Sequence, residues 1–179
     1  MYLGNNPTAL RSQRWIMDSF LELLETKSYE KITVKEITEK SDLARQTFYQ
    51  LFNSKLEILE YFLDLQFNEY LIEVDTLQII DFTSLARLYF HFFTKNKDFI
   101  NHLINNNLTG LLNAKFTEYL PQILTHVSNE IIPNHAYVYE FLSSGLVGVL
   151  VYWFRQDLDV SIDDLVKTLN SLIHTSNTI

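Results

Sequence analysis

Residues 31–55 read KITVKEITEKSDLARQTFYQLFNSK, and this stretch decides the fold. Thr33 and Glu36 stand three residues apart, which is the spacing of a capping box. In that motif each side chain bonds a free backbone N–H at the start of a helix. The pattern therefore predicts a short helix from Thr33 to about Ser41, a tight turn, and a second short helix over 44–51.

The second short helix carries polar side chains on a surface that Phe48 and Phe52 do not share. Arginine can donate two hydrogen bonds to guanine, and glutamine can pair with adenine. Arg45 is predicted to read a base, whereas Gln46, Thr47 and Gln50 could read bases or reach phosphate. The predicted phosphate-contacting residues are Thr33, Lys35, Tyr49 and Lys55. Phosphate contacts set the register without reading sequence. The stretch thus predicts a helix-turn-helix for double-stranded DNA, against the alternative that these are solvated polar residues.

The chain around the motif is predicted to be helical throughout. Residues 8–26 carry an apolar stripe at helical spacing, and Ser54 with Glu57 forms a second capping box that opens a long connecting helix. Further helices follow over about 82–93, 98–107, 108–132 and 135–154, and a last one begins after Ser161. We therefore predict an all-α protein of about nine helices. Residues 1–54 would form the DNA-binding domain, with its motif at 33–52, and 55–179 a C-terminal helical domain.

Composition sets limits on the function. The chain has 179 residues, of which 47% are hydrophobic, so it can bury a substantial core. It has no cysteine, which excludes disulfides, thiolate metal sites and a cysteine nucleophile. The start of the chain lacks the pattern of a signal peptide, which favours a cytoplasmic location. The longest nearly apolar run, residues 141–154, is shorter than the ~20 residues that span a bilayer, so no membrane association is predicted.

The charge is unevenly distributed. Residues 1–56 hold eight Lys/Arg against seven Asp/Glu, a net of +1, whereas 57–179 hold six against fifteen, a net of −9. A phosphate-facing surface therefore fits the first third of the chain. Because that part is only weakly basic, one copy is expected to bind DNA poorly, and pairing of two copies becomes a requirement.

At the motif the sequence resembles the TetR family of bacterial transcriptional regulators, over roughly residues 8–60. The residues that carry the resemblance are Thr33, Ile37, Leu43, Ala44, Arg45, Thr47, Phe48, Tyr49, Phe52, Ser54 and Lys55. Three positions depart from the family pattern. Asp42 stands where the turn usually has glycine, Ala44 where Ser or Thr usually caps the second helix, and Leu51 where a polar residue is common. Asp tolerates a left-handed backbone, and its carboxylate is one candidate for the missing cap.

The resemblance implies a homodimer that binds a palindromic operator, with half-sites about one helical turn apart (~34 Å). It also implies that the last two helices pair with those of a second copy, and that a cavity in the C-terminal domain receives an inducer. A repressor released by a small ligand is the function it favours. An activator or adaptor of the same fold, whose C-terminal domain binds a protein, is the alternative.

Residues 141–154 combine small and apolar side chains on a nearly all-round apolar helix. Small residues on one face allow two helices to approach closely, which favours a dimer interface over ordinary core. The predicted interface residues are Ser144, Gly145, Gly148, Val151, Tyr152, Leu165, Leu169 and Leu172.

Aromatic residues make up 14% of the chain, and at helical spacing each is by itself better explained as core. A subset could line a cavity for a small apolar or aromatic ligand. The predicted lining residues are Phe62, Phe67, Tyr89, Phe92, Phe93, Phe116, Tyr119 and Tyr137.

The sequence predicts neither catalysis nor a metal site. The five histidines show no pairs at three- or four-residue spacing, so a metal is not expected, and no cofactor motif occurs. There is no nucleophile elbow and no Gly-rich phosphate loop. An all-α enzyme that carries a helix-turn-helix is therefore the least favoured interpretation.

Overall fold

The computed structural model describes residues 1–78, 81–125 and 134–174. Within these residues the chain forms nine α-helices and one short 3-10 turn at Tyr29–Lys31, and no strand. The helices are α1 (Pro7–Leu24), α2 (Val34–Lys40), α3 (Arg45–Leu51), α4 (Lys55–Asp75), α5 (Phe82–Lys95), α6 (Lys97–Asn105), α7 (Thr109–Thr125), α8 (His135–Arg155) and α9 (Ile162–His174). The predicted all-α class is confirmed. The last part of the predicted helix over 108–132 lies outside the described residues.

The chain divides into two compact units, Met1–Gln66 and Phe67–Ile179. The predicted domain boundary lay at 54/55, where Ser54 opens α4. The hydroxyl of Ser54 does accept a hydrogen bond from the Glu57 amide, at 3.3 Å. The division between the two units falls between Gln66 and Phe67, within α4, and Ile58, Leu59 and Leu63 on the first half of this helix are fully buried.

The core of the N-terminal unit forms around the predicted stripe of α1. Ile16 and Phe20 are completely buried, as are Ile37 of α2 and Phe48 of α3. The beginning of the chain also packs here. The Tyr2 amide donates to the Leu51 carbonyl at 2.8 Å, which ties this segment to the last turn of α3.

The core of the C-terminal unit is a cluster of aromatic rings. Phe67 stacks on Phe116 and Tyr119, with ring centroids 5.9 and 5.1 Å apart. Tyr89 meets Phe93 and Phe116 at 4.8 and 5.1 Å. Aromatic pairs in such offset or tilted geometries contribute ~0.5–1.5 kcal/mol beyond area burial. The aromatic residues of this unit thus serve first to build its core.

Polar contacts fix two helix pairs of this unit. The hydroxyls of Thr117 on α7 and Ser143 on α8 lie 2.6 Å apart, and Ser143 is fully buried. Arg87 of α5 pairs with Asp163 at the start of α9, at 2.8 Å. These contacts link α7 to α8 and α5 to the start of α9.

Candidate nucleic-acid interface

The start of α2 is built as the sequence predicts. The Thr33 hydroxyl accepts from the Glu36 amide at 3.3 Å, and the Glu36 carboxylate accepts from the Thr33 amide at 2.9 Å. Lys27 also bonds this carboxylate. The bond from Lys27 and the two hydrogen bonds that the carboxylate accepts from the Thr33 amide and the Thr33 hydroxyl lower the pKa of Glu36 to about 2. The exposed Thr33 side chain is therefore held in one orientation at the surface where it was predicted to meet phosphate.

The turn between α2 and α3 uses a left-handed residue. Asp42 has φ 53°, a region that favours glycine and, among other residues, Asn and Asp. This explains how the turn forms with aspartate where the family has glycine. Ala44 stands at the N-cap of α3, and no side chain caps the helix there. Asp42 therefore does not supply the missing cap.

The recognition helix α3 presents the predicted side chains to solvent. Phe48 is fully buried and Leu51 nearly so, which fixes the inner face of the helix. The outer residues Arg45, Gln46, Tyr49 and Gln50 are exposed, and Thr47 is half-buried. Burial of Leu51 shows why an apolar residue can stand where the family is commonly polar: it belongs to the core.

Arg45 is the recognition-helix residue best equipped for bidentate contact with a base. It forms no ion pair within the described residues, so its guanidinium is available to a partner. Lys35 on α2 is exposed, and its ammonium lies 3.6 Å from Glu39. Exposed pairs of this kind contribute little energy, and the lysine can exchange its partner for a phosphate.

Lys55 is engaged differently from the prediction of a phosphate contact. Its ammonium donates to the carbonyls of Tyr29, Ile32 and Glu30 at 2.6, 3.0 and 3.3 Å. A lysine has three N–H donors, and each of these acceptors takes one. A phosphate contact would have to displace one of these bonds. Sequence patterns cannot reveal such partners, since they are backbone atoms 23 to 26 residues away.

Two acidic residues that sequence reasoning did not assign to the site stand beside Arg45. Glu39 and Asp42 line the same shallow notch as Arg45 and Lys35. They lower the local positive potential and disfavour indiscriminate phosphate binding. Their position next to the predicted turn was the signal that could have placed them here.

The predicted ligand-lining residues divide into three groups in the structure. Tyr89 and Phe116 line a cavity of about 60 Å³ in the C-terminal unit. Phe67, Phe92, Phe93 and Tyr119 are buried but are not among its lining residues. Phe62 lies in the N-terminal unit and is half-buried, and Tyr137 is 80% exposed at the start of α8. Tyr70 of α4 lines the cavity and was not predicted to do so.

The predicted interface residues of α8 lie mostly on an exposed face. Ser144, Gly145, Gly148 and Tyr152 are exposed, whereas Val151 is buried. Phe141, on the same face, is 77% exposed. A Cβ built at Gly145 or Gly148 meets no atom within 4 Å, so packing within the protomer does not require glycine at either position.

On α9 the three predicted interface residues differ in exposure. Leu165 and Leu169 are half-buried, and Leu172 is 66% exposed. The α8 helix has 21 residues and a mean hydropathy of 1.3 along its most apolar stretch. By length and composition this helix could cross a membrane. The apolar run at 141–154 alone is too short to do so. A helix whose exposed apolar face packs on a partner shows the same composition.

Two known families match the sequence. Residues 16–62 match the family described as "Bacterial regulatory proteins, tetR family". Residues 81–175 match the family described as "Transcriptional regulator C-terminal region". No curated protein matches the sequence.

Solved structures share the fold. The chain is similar to Lin0861 from Listeria innocua, with a TM-score of 0.82 and 14% identity over 98% of this chain and 96% of that one. It is also similar to a TetR transcriptional regulator from Streptococcus agalactiae 2603V, with a TM-score of 0.67 and 20% identity over 93% of this chain and 95% of that one. A third similar structure is the dihydroxyacetone kinase operon activator DhaS, with a TM-score of 0.60 and 16% identity over 92% of this chain and 95% of that one.

The family matches cover the parts of the chain that carry the site. One spans the helix-turn-helix with its capped α2 and exposed α3, and the other spans more than half of the chain. The chain belongs to the TetR family of bacterial transcriptional regulators.

Proposed function

We propose that this chain represses transcription by binding a palindromic operator in double-stranded DNA as a homodimer, and that a small molecule releases it. The observation that carries the proposal is the outer face of α3. Arg45, Gln46 and Gln50 are exposed together on a helix whose opposite face is anchored by Phe48. Arginine and glutamine are the side chains that read guanine and adenine in the major groove. A cytoplasmic location is part of this proposal.

Dimerisation through α8 and α9 is supported by the exposed face of α8. Glycine inside a helix costs ~1 kcal/mol relative to alanine. Gly145 and Gly148 bear that cost without an internal packing reason, and Phe141 and Tyr152 expose large apolar surface beside them. A second copy that packs closely here accounts for both features. The N-terminal unit, with eight Lys/Arg against ten Asp/Glu, carries a net charge of −2. A dimer engages DNA with two recognition helices at once, which offsets the lack of a net positive charge on each N-terminal unit.

Release by a ligand is supported by the cavity and by α4. Tyr70 of α4 lines the cavity, and the first half of the same helix belongs to the core of the N-terminal unit. A molecule bound against Tyr70 therefore acts on a helix that both units share. The ligand would shift the protein toward a conformation in which it binds more tightly than in the operator-bound one.

An activator or adaptor whose C-terminal unit binds a protein is the second candidate. One observation favours it: the cavity has about 60 Å³, whereas small-molecule sites usually have ~300–1,000 Å³. DhaS, which shares the fold, is named as an operon activator. In vitro transcription from a promoter that carries the operator distinguishes the candidates, because a repressor lowers transcription in the absence of any ligand.

The experiment that tests operator binding is selection of bound DNA from random double-stranded sequence with the full chain. We expect two inverted half-sites whose centres lie about one helical turn apart. Arg45→Ala should lose the preference at one base position per half-site, by ~1–3 kcal/mol. Arg14→Ala removes the same charge from an exposed position on α1 and should keep every base preference. Failure to enrich any motif would contradict the proposal.

A further inference from the structure

One residue that lines the C-terminal cavity, Tyr89, has a buried hydroxyl for which the described part of the chain offers no partner. Tyr89 is 2% exposed and lines the cavity, and its phenol makes no hydrogen bond within the described residues. The neighbouring phenol of Tyr70 does have an acceptor, the Leu85 carbonyl at 3.3 Å. A buried polar group that lacks a partner costs ~1–3 kcal/mol, so an unpaired donor beside a cavity calls for an acceptor.

The remaining wall is apolar. The described residues that line it are aliphatic or aromatic, and none of them carries a charge. A carboxylate or ammonium placed there would be buried without a counter-charge, which is far more costly than burying a neutral molecule. Burial also raises the pKa of Tyr89 well above its ordinary value, with a further contribution from the Tyr70 phenol, so Tyr89 stays a protonated donor.

We propose that this cavity binds a compact, neutral, largely apolar molecule whose single acceptor oxygen takes the hydrogen bond of the Tyr89 hydroxyl. The proposal rests on the ligand response proposed above and deepens it by naming the chemical class of the ligand. An ordered water is the competing occupant. It would need two to four polar partners, and of the two phenol side chains on the described wall the Tyr70 hydroxyl already donates to the Leu85 carbonyl.

Binding requires the cavity to widen. Its volume of about 60 Å³ is below the ~150 Å³ of an engineered cavity that binds benzene. Leu124, Leu142 and Leu146 line it and are half-buried, so these side chains can move outward with less loss of core packing than the fully buried ones. Leu146→Ala removes three carbon atoms from this wall and should pre-form the space that a ligand needs.

The test compares three probes that share a six-membered carbon ring, on the full chain, by calorimetric titration. Cyclohexanone offers one acceptor oxygen, methylenecyclohexane replaces that oxygen with CH₂, and cyclohexanecarboxylate adds a charge. Tyr89→Phe should weaken cyclohexanone binding about fivefold and leave methylenecyclohexane binding unchanged. Cyclohexanecarboxylate should not bind. Leu146→Ala should tighten both neutral probes, because the cost of opening is removed.

Tyr119→Phe is the matched control. Tyr119 is also buried, but it is not among the residues that line the cavity, and its hydroxyl accepts from the Asn68 side-chain amide at 3.3 Å. This variant should leave cyclohexanone affinity unchanged. Thermal unfolding of each variant checks that the fold is intact.

Three results would overturn the inference. The first is that wild type and Tyr89→Phe bind cyclohexanone with equal affinity. The second is that the carboxylate binds as tightly as the ketone. The third is that neither neutral probe binds, even to Leu146→Ala. Operator binding of the probe-free chain is measured in parallel. A chain that binds its operator but fails the probe tests refutes the ligand class alone, whereas loss of operator binding refutes the proposed function.

Discussion

The ammonium of Lys55 lies 4.3 Å from the centre of the Tyr29 ring and donates to the backbone carbonyl of the same residue at 2.6 Å. The first residue of α4 thus holds the segment that leads into α2. Burial raises the pKa of Tyr29, with contributions from the charges of Glu30 and Glu60, so its ring stays a neutral surface under the ammonium.

Lys55→Ala should lower the free energy of unfolding by about 1–3 kcal/mol, because three carbonyls lose a charged donor. The salt dependence of operator affinity should stay unchanged. Urea unfolding and fluorescence anisotropy at several salt concentrations measure the two effects. Lys31→Ala, an exposed lysine without an ion pair in the described residues, should leave stability unchanged. A salt slope reduced by about 1 with unaltered stability would instead place Lys55 on phosphate, as the sequence predicted.

Operator affinity should depend only moderately on salt. The helices α2 and α3 carry three cations. Lys40 is counted as engaged, because its ammonium lies 2.7 Å from Glu22 of α1, closer than the 3.6 Å between Lys35 and Glu39. Lys35 and Arg45 then give two available cations per subunit and four per dimer. The slope of log affinity against log salt should be no steeper than about −4. A slope beyond about −6 in titrations from 50 to 200 mM salt would show that Arg11 and Arg14 of α1 also meet phosphate.

Ala44→Ser should stabilise the N-terminal unit by about 1 kcal/mol, because α3 begins without a side-chain cap. The serine hydroxyl can accept from a free amide in the first turn. Ala114→Ser, at an exposed interior position of α7, should instead be neutral or slightly destabilising. Thermal unfolding compares the two variants. An equal shift of the unfolding temperature in the two variants would mean that the start of α3 does not need the cap.

Gly148→Leu should convert the dimer to monomer while the protomer stays folded. A Cβ at this position meets open space within the protomer, so the new side chain disturbs only what packs on the outer face of α8. Sedimentation velocity gives the assembly state and circular dichroism the helix content. Asn101→Leu adds a leucine to an exposed position on α6 and should leave the dimer intact. A Gly148→Leu protein that still sediments as a dimer would refute the interface.

Glu36→Gln should reduce the acid sensitivity of the N-terminal unit. The pKa of Glu36 is lowered in the folded protein to about 2, below the ordinary 4.5. Its contribution to stability is therefore complete above pH 4.5 and is lost as the pH falls toward 2. In the variant the decline of stability over this window should be shallower, with lower stability at pH 7. Urea unfolding at pH 7, 4 and 3 measures this, and Glu25→Gln should leave the wild-type profile unchanged.

Local features of the fold could be predicted from the sequence because their partners stand close in the chain. The capping box of Thr33 and Glu36 needs only two residues three positions apart, and the structure confirms it. The same holds for Ser161, whose hydroxyl accepts from the Asp164 amide at 3.2 Å. The exposed side of α3 could likewise be predicted, because Phe48 and Phe52 were expected to lie away from the polar surface.

Features that depend on distant packing could not be predicted in this way. Helix α8 is apolar all round, so periodicity does not tell which residues face outward, and Tyr137 is exposed although it was predicted to line a cavity. A cap marks where a helix such as α4 begins, but it carries no information on where the packing along that helix changes. The unpaired Tyr89 hydroxyl likewise depends on what the neighbouring helices leave empty.

The hydroxyl pair of Thr117 and Ser143 has a consequence for the outside of the molecule. Rotating α8 by one residue, about 100°, would separate the two hydroxyls, which now lie 2.6 Å apart. The rotation that keeps them together turns Gly145 and Gly148 outward. The contact of the two hydroxyls inside the protomer and the exposure of the two glycines on its outside therefore belong to one and the same rotation of α8.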